Sequence, residues 1–192
     1  GSVSTDQVWV TLTGGVFIVM AGPLTAPDGT GSLSFAGMDG SPLTDGPVSV
    51  QVTVEDVNGN QSIFAGTQAH KDTVAPSPPI SAAVAAGASN GAGFINMTNV
   101  DNVVVSVELP DDYAGTEQVT VTLTGGATAS ATVLSPVYGG SILINQIDAS
   151  ALGDGTIAIS VDVVDPAGNS VNFTGTTCTK DTTPPAAPTS IS

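Results

Sequence analysis

VSVQVTVEDVNGNQSIFAGTQAHKDTVAPSPP, residues 48–79, returns as IAISVDVVDPAGNSVNFTGTTCTKDTTPPAAP, residues 157–188, at a constant offset of 109. Asp56, Gly59, Asn60, Phe64, Gly66, Lys71, Asp72 and Pro76 map onto Asp165, Gly168, Asn169, Phe173, Gly175, Lys180, Asp181 and Pro185. Upstream, MDGSPLTDG at 38–46 matches IDASALGDG at 147–155 at the same offset, and TDQVWVTLTGG from Thr5 matches TEQVTVTLTGG from Thr116 at an offset of 111. A tandem repeat changes the fold reading before any local propensity does. Within each copy the apolar residues alternate. Ile157, Ile159, Val161 and Val163 point one way while Ala158, Ser160 and Asp162 point the other. Period two is the signature of a half-buried strand. The same alternation runs through Val103, Val105, Val107 and Leu109, through Val119, Val121 and Leu123, through Ala129, Ala131 and Val133, and through Ile142 and Ile144. A last strand is expected over 170–179 and a short one near Phe94.

About seven short strands in roughly 105 residues predict a two-sheet antiparallel sandwich. The turns agree. Asp165-Pro166-Ala167-Gly168 has Asp first, Pro second and Gly fourth, the sequence of a type I turn closed by a glycine bulge, and Asp56-Val57-Asn58-Gly59 is its counterpart. Gly14-Gly15 and Gly125-Gly126 sit between strands and read as hairpin turns. The predicted organisation is an incomplete sandwich over residues 1–75, a proline-rich linker at 76–80, a complete sandwich over 81–184 and a second linker at 185–192. The first copy lacks a counterpart of residues 93–110, which hold two opening strands. Those strands are expected either to be cut away at a boundary inside a domain or to come from another chain by donor-strand complementation.

Composition narrows the function. The 192 residues carry 17 acids against 2 lysines and no arginine, a net charge of -15, so there is no basic footprint for nucleic acid or an anionic membrane surface. No apolar run approaches the ~20 residues of a membrane helix, so direct membrane insertion is not expected. With 41% hydrophobic residues the chain does not read as an acidic disordered tail. One cysteine, Cys178, excludes a disulfide within the chain. One histidine, His70, lies in the other copy, which leaves little for a nucleophile pair or a zinc site. The expectation is no enzyme.

The order VDVVDPAGNS, then KDTTPPAAP, with DASALGDGT upstream, resembles the bacterial immunoglobulin-like repeats of large secreted adhesins and cell-surface proteins. The resemblance implies immunoglobulin-like folds and an extracellular or bacterial cell-surface location. Its implied role is a stalk, extender or filament module, often stiffened by calcium at domain junctions. Partners would be neighbouring immunoglobulin-like domains or copies of the chain. An adhesin domain binding a carbohydrate or protein ligand is the alternative.

Hard cations take carboxylate and carbonyl oxygens. Strand order places Asp111, Asp112 and Asp165 at the end of the second sandwich that faces the linker residue Asp72, while Asp56 and Asp181 occupy the equivalent outer junctions. These six aspartates are the candidate calcium ligands. Asp56 and Asp165 have a second explanation, because Asp at the first turn position accepts local backbone N–H bonds. Asp39, Asp45, Asp148 and Asp154 read as caps and turn residues around inward Leu43 and Leu152, and Lys71 and Lys180 are expected to pair with nearby acids. With a three-residue hairpin loop at Gly14-Gly15, Trp9, Phe17 and Val19 would face outward as a candidate interface, where the second copy has Thr120, Thr128 and Ser130.

Overall fold

The computed structural model describes residues 5–26, 31–85, 93–134 and 138–189, and the linker assigned to 185–192 lies outside them from residue 190 on. Every regular element among these residues is a strand. The chain divides into two compact units, residues 1–73 and 74–192.

The second unit is an antiparallel sandwich. One sheet holds β9 (Gln118–Thr124), β10 (Thr128–Val133), β12 (Gly155–Val164), β13 (Ser170–Thr174), β14 (Cys178–Lys180) and β7 (Phe94–Ile95); the other orders β11 (Tyr138–Ile147), β8 (Val103–Ala114) and β6 (Ser81–Val84). The alternation read from the sequence is the core. Val103, Val105 and Val107 from one sheet and Val119, Val121, Leu123, Ile157, Ile159, Val161 and Val163 from the other are all at 0–1% exposure. Each such side chain contributes about 1.5–3 kcal/mol by leaving water. The expected last strand is instead two strands: β13 and β14 both pair with β12, and between them Thr176 donates its N–H to Ala82 O of the facing sheet. Gly175 is needed at this crossing, because a Cβ there would lie 2.7 Å from Ala82 O. The short strand expected near Phe94 is β7, while β6 escaped the sequence reading. β6 carries Ser-Ala-Ala-Val, and β7 makes a two-residue parallel pair with β14.

The first unit is one sheet, ordered β2 (Phe17–Thr25), β1 (Gln7–Gly14), β3 (Gly46–Glu55), β4 (Gln61–Ala65), with β5 (Ala69–Lys71) also on β3. It reproduces β10, β9, β12, β13 and β14 in order and pairing. Among the described residues no second sheet faces it. The consequence is a core face left half-covered. Val10, Leu12, Val50, Val52 and Val54 are only partly buried, and Phe64 is 68% exposed. Val8, Leu43 and Val48 alone in this unit are buried apolar side chains among those described.

Candidate functional site

The residues that leave each sheet for its linker are fixed by the loop before β3 or β12. In the second unit Lys180 ends β14 and is 5% exposed. Its Nζ donates to Leu152 O at 2.8 Å and to Asp154 Oδ1 at 3.1 Å. Asp154 then takes the next residues of the linker: Thr182 donates its N–H to Oδ2 at 3.2 Å and its hydroxyl to Oδ1 at 3.0 Å. Thr183 closes a local turn by donating its N–H to Asp181 Oδ1 at 2.9 Å. The first unit repeats the device. Lys71 Nζ donates to Leu43 O and lies 3.6 Å from Asp45 Oδ1, and Thr73 donates N–H and hydroxyl to Asp45 Oδ2 at 3.2 and 2.8 Å. The Lys-Asp-Thr triplet at the start of each linker is therefore held by its first and third residues to a single carboxylate. These bonds hold Asp154 and Asp45 below the ordinary carboxylate range, through Lys180 first at Asp154 and through the Thr73 hydroxyl first at Asp45.

Sequence reasoning missed the role of Asp45 and Asp154. It placed them as turn residues, and only Asp39 and Asp148 act so, accepting the N–H of Ser41 and of Ser150 at 2.9 Å each. The usable signal was joint recurrence. Carboxylate, lysine and threonine all return together at the offset of 109. The lysines do pair with acids, but across 26 residues and not with acids nearby in the chain, and Lys180 is buried.

The six candidate calcium ligands fall into separate settings. Asp56 Oδ1 accepts the N–H groups of Asn58 and Asn60 at 2.8 and 2.9 Å, and Oδ2 accepts Asn60 Nδ2 at 2.8 Å. Asp165 does the same with Asn169, at 2.8 Å to the N–H and 2.9 Å to Nδ2. Both carboxylates are the locks of their turns. The neighbouring asparagine side chains, Asn60 and Asn169, are the first cause of their lowered pKa values. Asp111 and Asp112 lie near the end of β8, the same end of the sandwich as Asp165, whereas Asp181 follows β14 at the other end. Asp112 Oδ2 accepts the Ser77 hydroxyl at 2.6 Å. Tyr113 donates its hydroxyl to Ser77 O, so the incoming segment is tied to the same end as Asp111 and Asp112. Burial, with the charges of Glu117 and Asp112 behind it, pushes the Tyr113 phenol up to about 12. Asp72 lies in the first unit, one residue after β5. Among the described residues no set of three or more His, Cys, Asp or Glu side chains gathers to hold a metal, while calcium takes 6–8 oxygens. The turn locks have their oxygens engaged already, so the fit to calcium is poorest at Asp56 and Asp165.

The candidate interface is rearranged by one residue of loop. In the second unit Thr124 pairs with Thr128 across a three-residue loop. In the first, Gly14 pairs with Phe17 across only Gly15 and Val16. Gly15 has φ 64°, the positive value that the first central residue of a type II′ hairpin requires. The shorter loop turns β2 over relative to β10. Phe17 and Val19 stand opposite Gly14 and Leu12 on the core face, and Ile18 and Met20 join Trp9 on the outer face. Trp9, Phe17 and Val19 are thus not one surface. The outer face forms an open concavity of 410 Å³ whose lining includes Trp9, Thr11, Met20, Thr53, Glu55 and Ile63. Gln61 Nε2 donates to Glu55 Oε2 at 2.7 Å at its edge. The equivalent face of the second unit is polar, with Asn172 Nδ2 donating to Asp162 Oδ1 at 2.9 Å.

No protein-family model matches the chain, and no curated protein does. Among solved structures it is similar to the tetra-tandem repeat in the extending region of a large adhesion protein. That match has 27% identity over 93% of this chain and 42% of the other, with a TM-score of 0.43. It is also similar to a Ca2+-stabilized adhesin that helps an Antarctic bacterium reach out and bind ice. There the identity is 25% over 97% of this chain and 43% of the other, with a TM-score of 0.44. The chain spans less than half the length of either.

Proposed function

We propose that the chain is an extender segment of a bacterial surface or secreted adhesin, built from immunoglobulin-like repeats whose task is to carry length. The observation that supports this most is the linker clamp. It is built twice, from Lys71, Asp45 and Thr73 and from Lys180, Asp154 and Thr182, so that each linker leaves its sheet in a fixed direction. Pro-rich segments that follow such a clamp act as semi-rigid spacers. A module selected for reach needs this stiffness, whereas a catalyst would need a gathered set of reactive side chains. Calcium belongs to the proposal as a further stiffener that draws on Asp111 and Asp112 at the acidic end of the second unit. The test is the distance distribution between spin labels on the two units by electron–electron resonance. It should be narrow in the native chain and broader in Asp45→Ala, and a native distribution as broad as a free hinge would refute the extender reading. Repeating it with calcium, with EDTA and with magnesium tests the metal separately: no change specific to calcium removes calcium from the proposal.

A second reading, a ligand-binding adhesin domain, is favoured by the outer concavity. One indole flanked by threonine, glutamine and glutamate side chains suits the flat face of a neutral sugar. Quenching or shifting of Trp9 fluorescence by neutral oligosaccharides, lost on Met20→Asp, would support it; silence across a glycan panel would end it.

A further inference from the structure

The turn locks of the two copies are one structure built on different sequences, and the difference is chemical. Asp56-Val57-Asn58-Gly59 stands where the second copy has Asp165-Pro166-Ala167-Gly168. In both, the glycine donates its N–H to the aspartate carbonyl, Gly59 to Asp56 O at 3.0 Å and Gly168 to Asp165 O at 3.1 Å, and both glycines have positive φ, 84° and 93°. Only the first copy places a side-chain amide immediately before the glycine. An asparagine followed by glycine can close a five-membered ring, because the next backbone nitrogen reaches the side-chain Cγ and no Cβ stands in its way. At Gly59 the place of a Cβ is open space, with nothing within 4 Å. Val57, Asn58 and Gly59 are exposed, as are Pro166, Ala167 and Gly168 in the second unit, so this exposure belongs to the turn and not to strands the first unit lacks. Among the described residues Asn58-Gly59 is the one such pair; Asn90-Gly91 lies outside them.

We propose that Asn58 is a self-modification site whose rate is set by the Asp56 lock. The Gly59 nitrogen gives up its proton and bonds to Asn58 Cγ, the Cγ–Nδ2 bond breaks, and ammonia leaves with that proton. The resulting succinimide then takes up one water. Addition at Cγ gives aspartate. Addition at the main-chain carbonyl carbon of residue 58 gives isoaspartate, in which the main chain runs through Cβ and is one atom longer. The turn opposes the first step. Asp56 Oδ1 holds the N–H groups of Asn58 and Asn60 at 2.8 and 2.9 Å, and Asp56 O holds the Gly59 N–H that must be surrendered. Ring closure therefore waits for the turn to open, as hydrogen exchange does. Isoaspartate makes the opening permanent, since the extra atom parts the N–H of residue 58 from that of Asn60 and the two are no longer spaced to converge on one oxygen. The first repeat thus carries a covalent record of how often the turn between β3 and β4 has opened, while Ala167 leaves the second repeat without one.

In the test the full chain is incubated in mildly alkaline buffer, and peptide mapping that separates residue 58 from residue 90 reads the amide-to-acid mass gain and the isoaspartate fraction. Residue 58 of the native chain should convert about tenfold or more slowly than in a synthetic peptide copying residues 53–63, because only the open turn reacts. Asp56→Ala should approach the peptide rate. Asp56→Asn, which keeps an oxygen for both N–H groups, and Asp165→Ala, in the other turn, should stay near the native rate. Hydrogen exchange at residues 50–54 of β3, read on the same samples, tells opening of the turn from unfolding of the sheet. The proposal is overturned if residue 58 does not convert in Asp56→Ala, or if the native chain converts as fast as the peptide. It is equally overturned if Asp56→Ala accelerates only with loss of protection throughout residues 50–54.

Discussion

Lys71 and Lys180 stand at equivalent positions and make the same contacts, yet their surroundings differ in a way that ranks them. Lys180 is 5% exposed and 3.1 Å from Asp154, while Lys71 is 23% exposed and 3.6 Å from Asp45. Removing the partner of a buried ammonium leaves a charge that water cannot reach, whereas an exposed ammonium simply resolvates. Asp154→Ala should therefore lower the melting temperature of its unit more than Asp45→Ala lowers that of the first. Equal shifts in a two-transition melt would contradict the burial argument. The sequence shows both lysines and both aspartates but cannot show this difference, because Lys180 pairs with Ile95 of β7, a strand with no counterpart among the described residues of the first unit. Nor could it show Asp154 as a shared acceptor for lysine and threonine, since the local Asx-turn explanation fits an isolated aspartate equally well.

At the scale of elements, the strands of the second unit were legible because apolar and polar residues alternate strictly in them. β2 was not. Thr128-Ala129-Ser130-Ala131-Thr132-Val133 names its inward side, but Phe17-Ile18-Val19-Met20-Ala21 is apolar at every position and accepts either register. Turn geometry then decides, and Gly15 with a two-residue loop puts Phe17 and Val19 on the side of Leu12. β6 was missed for the opposite reason, being too short for any period to show. The two copies of one strand give a direct measure of what a facing sheet is worth. Val161 is fully buried in β12 and its counterpart Val52 is half-buried in β3. Val161→Ala should cost about 2 kcal/mol from lost methyl burial and the cavity left behind. Val52→Ala should cost well under about 1 kcal/mol. Chemical denaturation of the two variants checks this, and a cost at Val52 as large as at Val161 would mean its face is covered after all.

The whole molecule carries its charge of -15 at turns, outward strand positions and linkers, and much of that charge is employed. Asp39, Asp45, Asp56, Asp148, Asp154 and Asp165 are all held below the ordinary carboxylate range by hydrogen bonds, from Ser41, Thr73, Asn60, Ser150, Lys180 and Asn169 in turn. Because folding depresses these pKa values, the unfolded chain takes up protons first as the pH falls. Their stabilisation is whole above the unfolded carboxylate value of about 3.9 and drains away as pH drops through the lower folded values. Melting temperature should stay level from pH 7 to about 5 and fall increasingly below about 4. A midpoint by circular dichroism that remained level down to about pH 2 would show that the bonds do not persist in solution.

The sequence alone determined the tandem repeat, the all-β class, the inward face of almost every strand in the second unit and the turns at Asp56 and Asp165, because each of these follows from period, spacing and local turn chemistry. Only the tertiary structure decided which face β2 presents, that Lys180 is buried on Asp154, and that residues 31–38 stay out of the sheet while their equivalents 140–147 join it. Those outcomes hang on contacts between segments far apart in the chain. A strand exists only when its neighbour does.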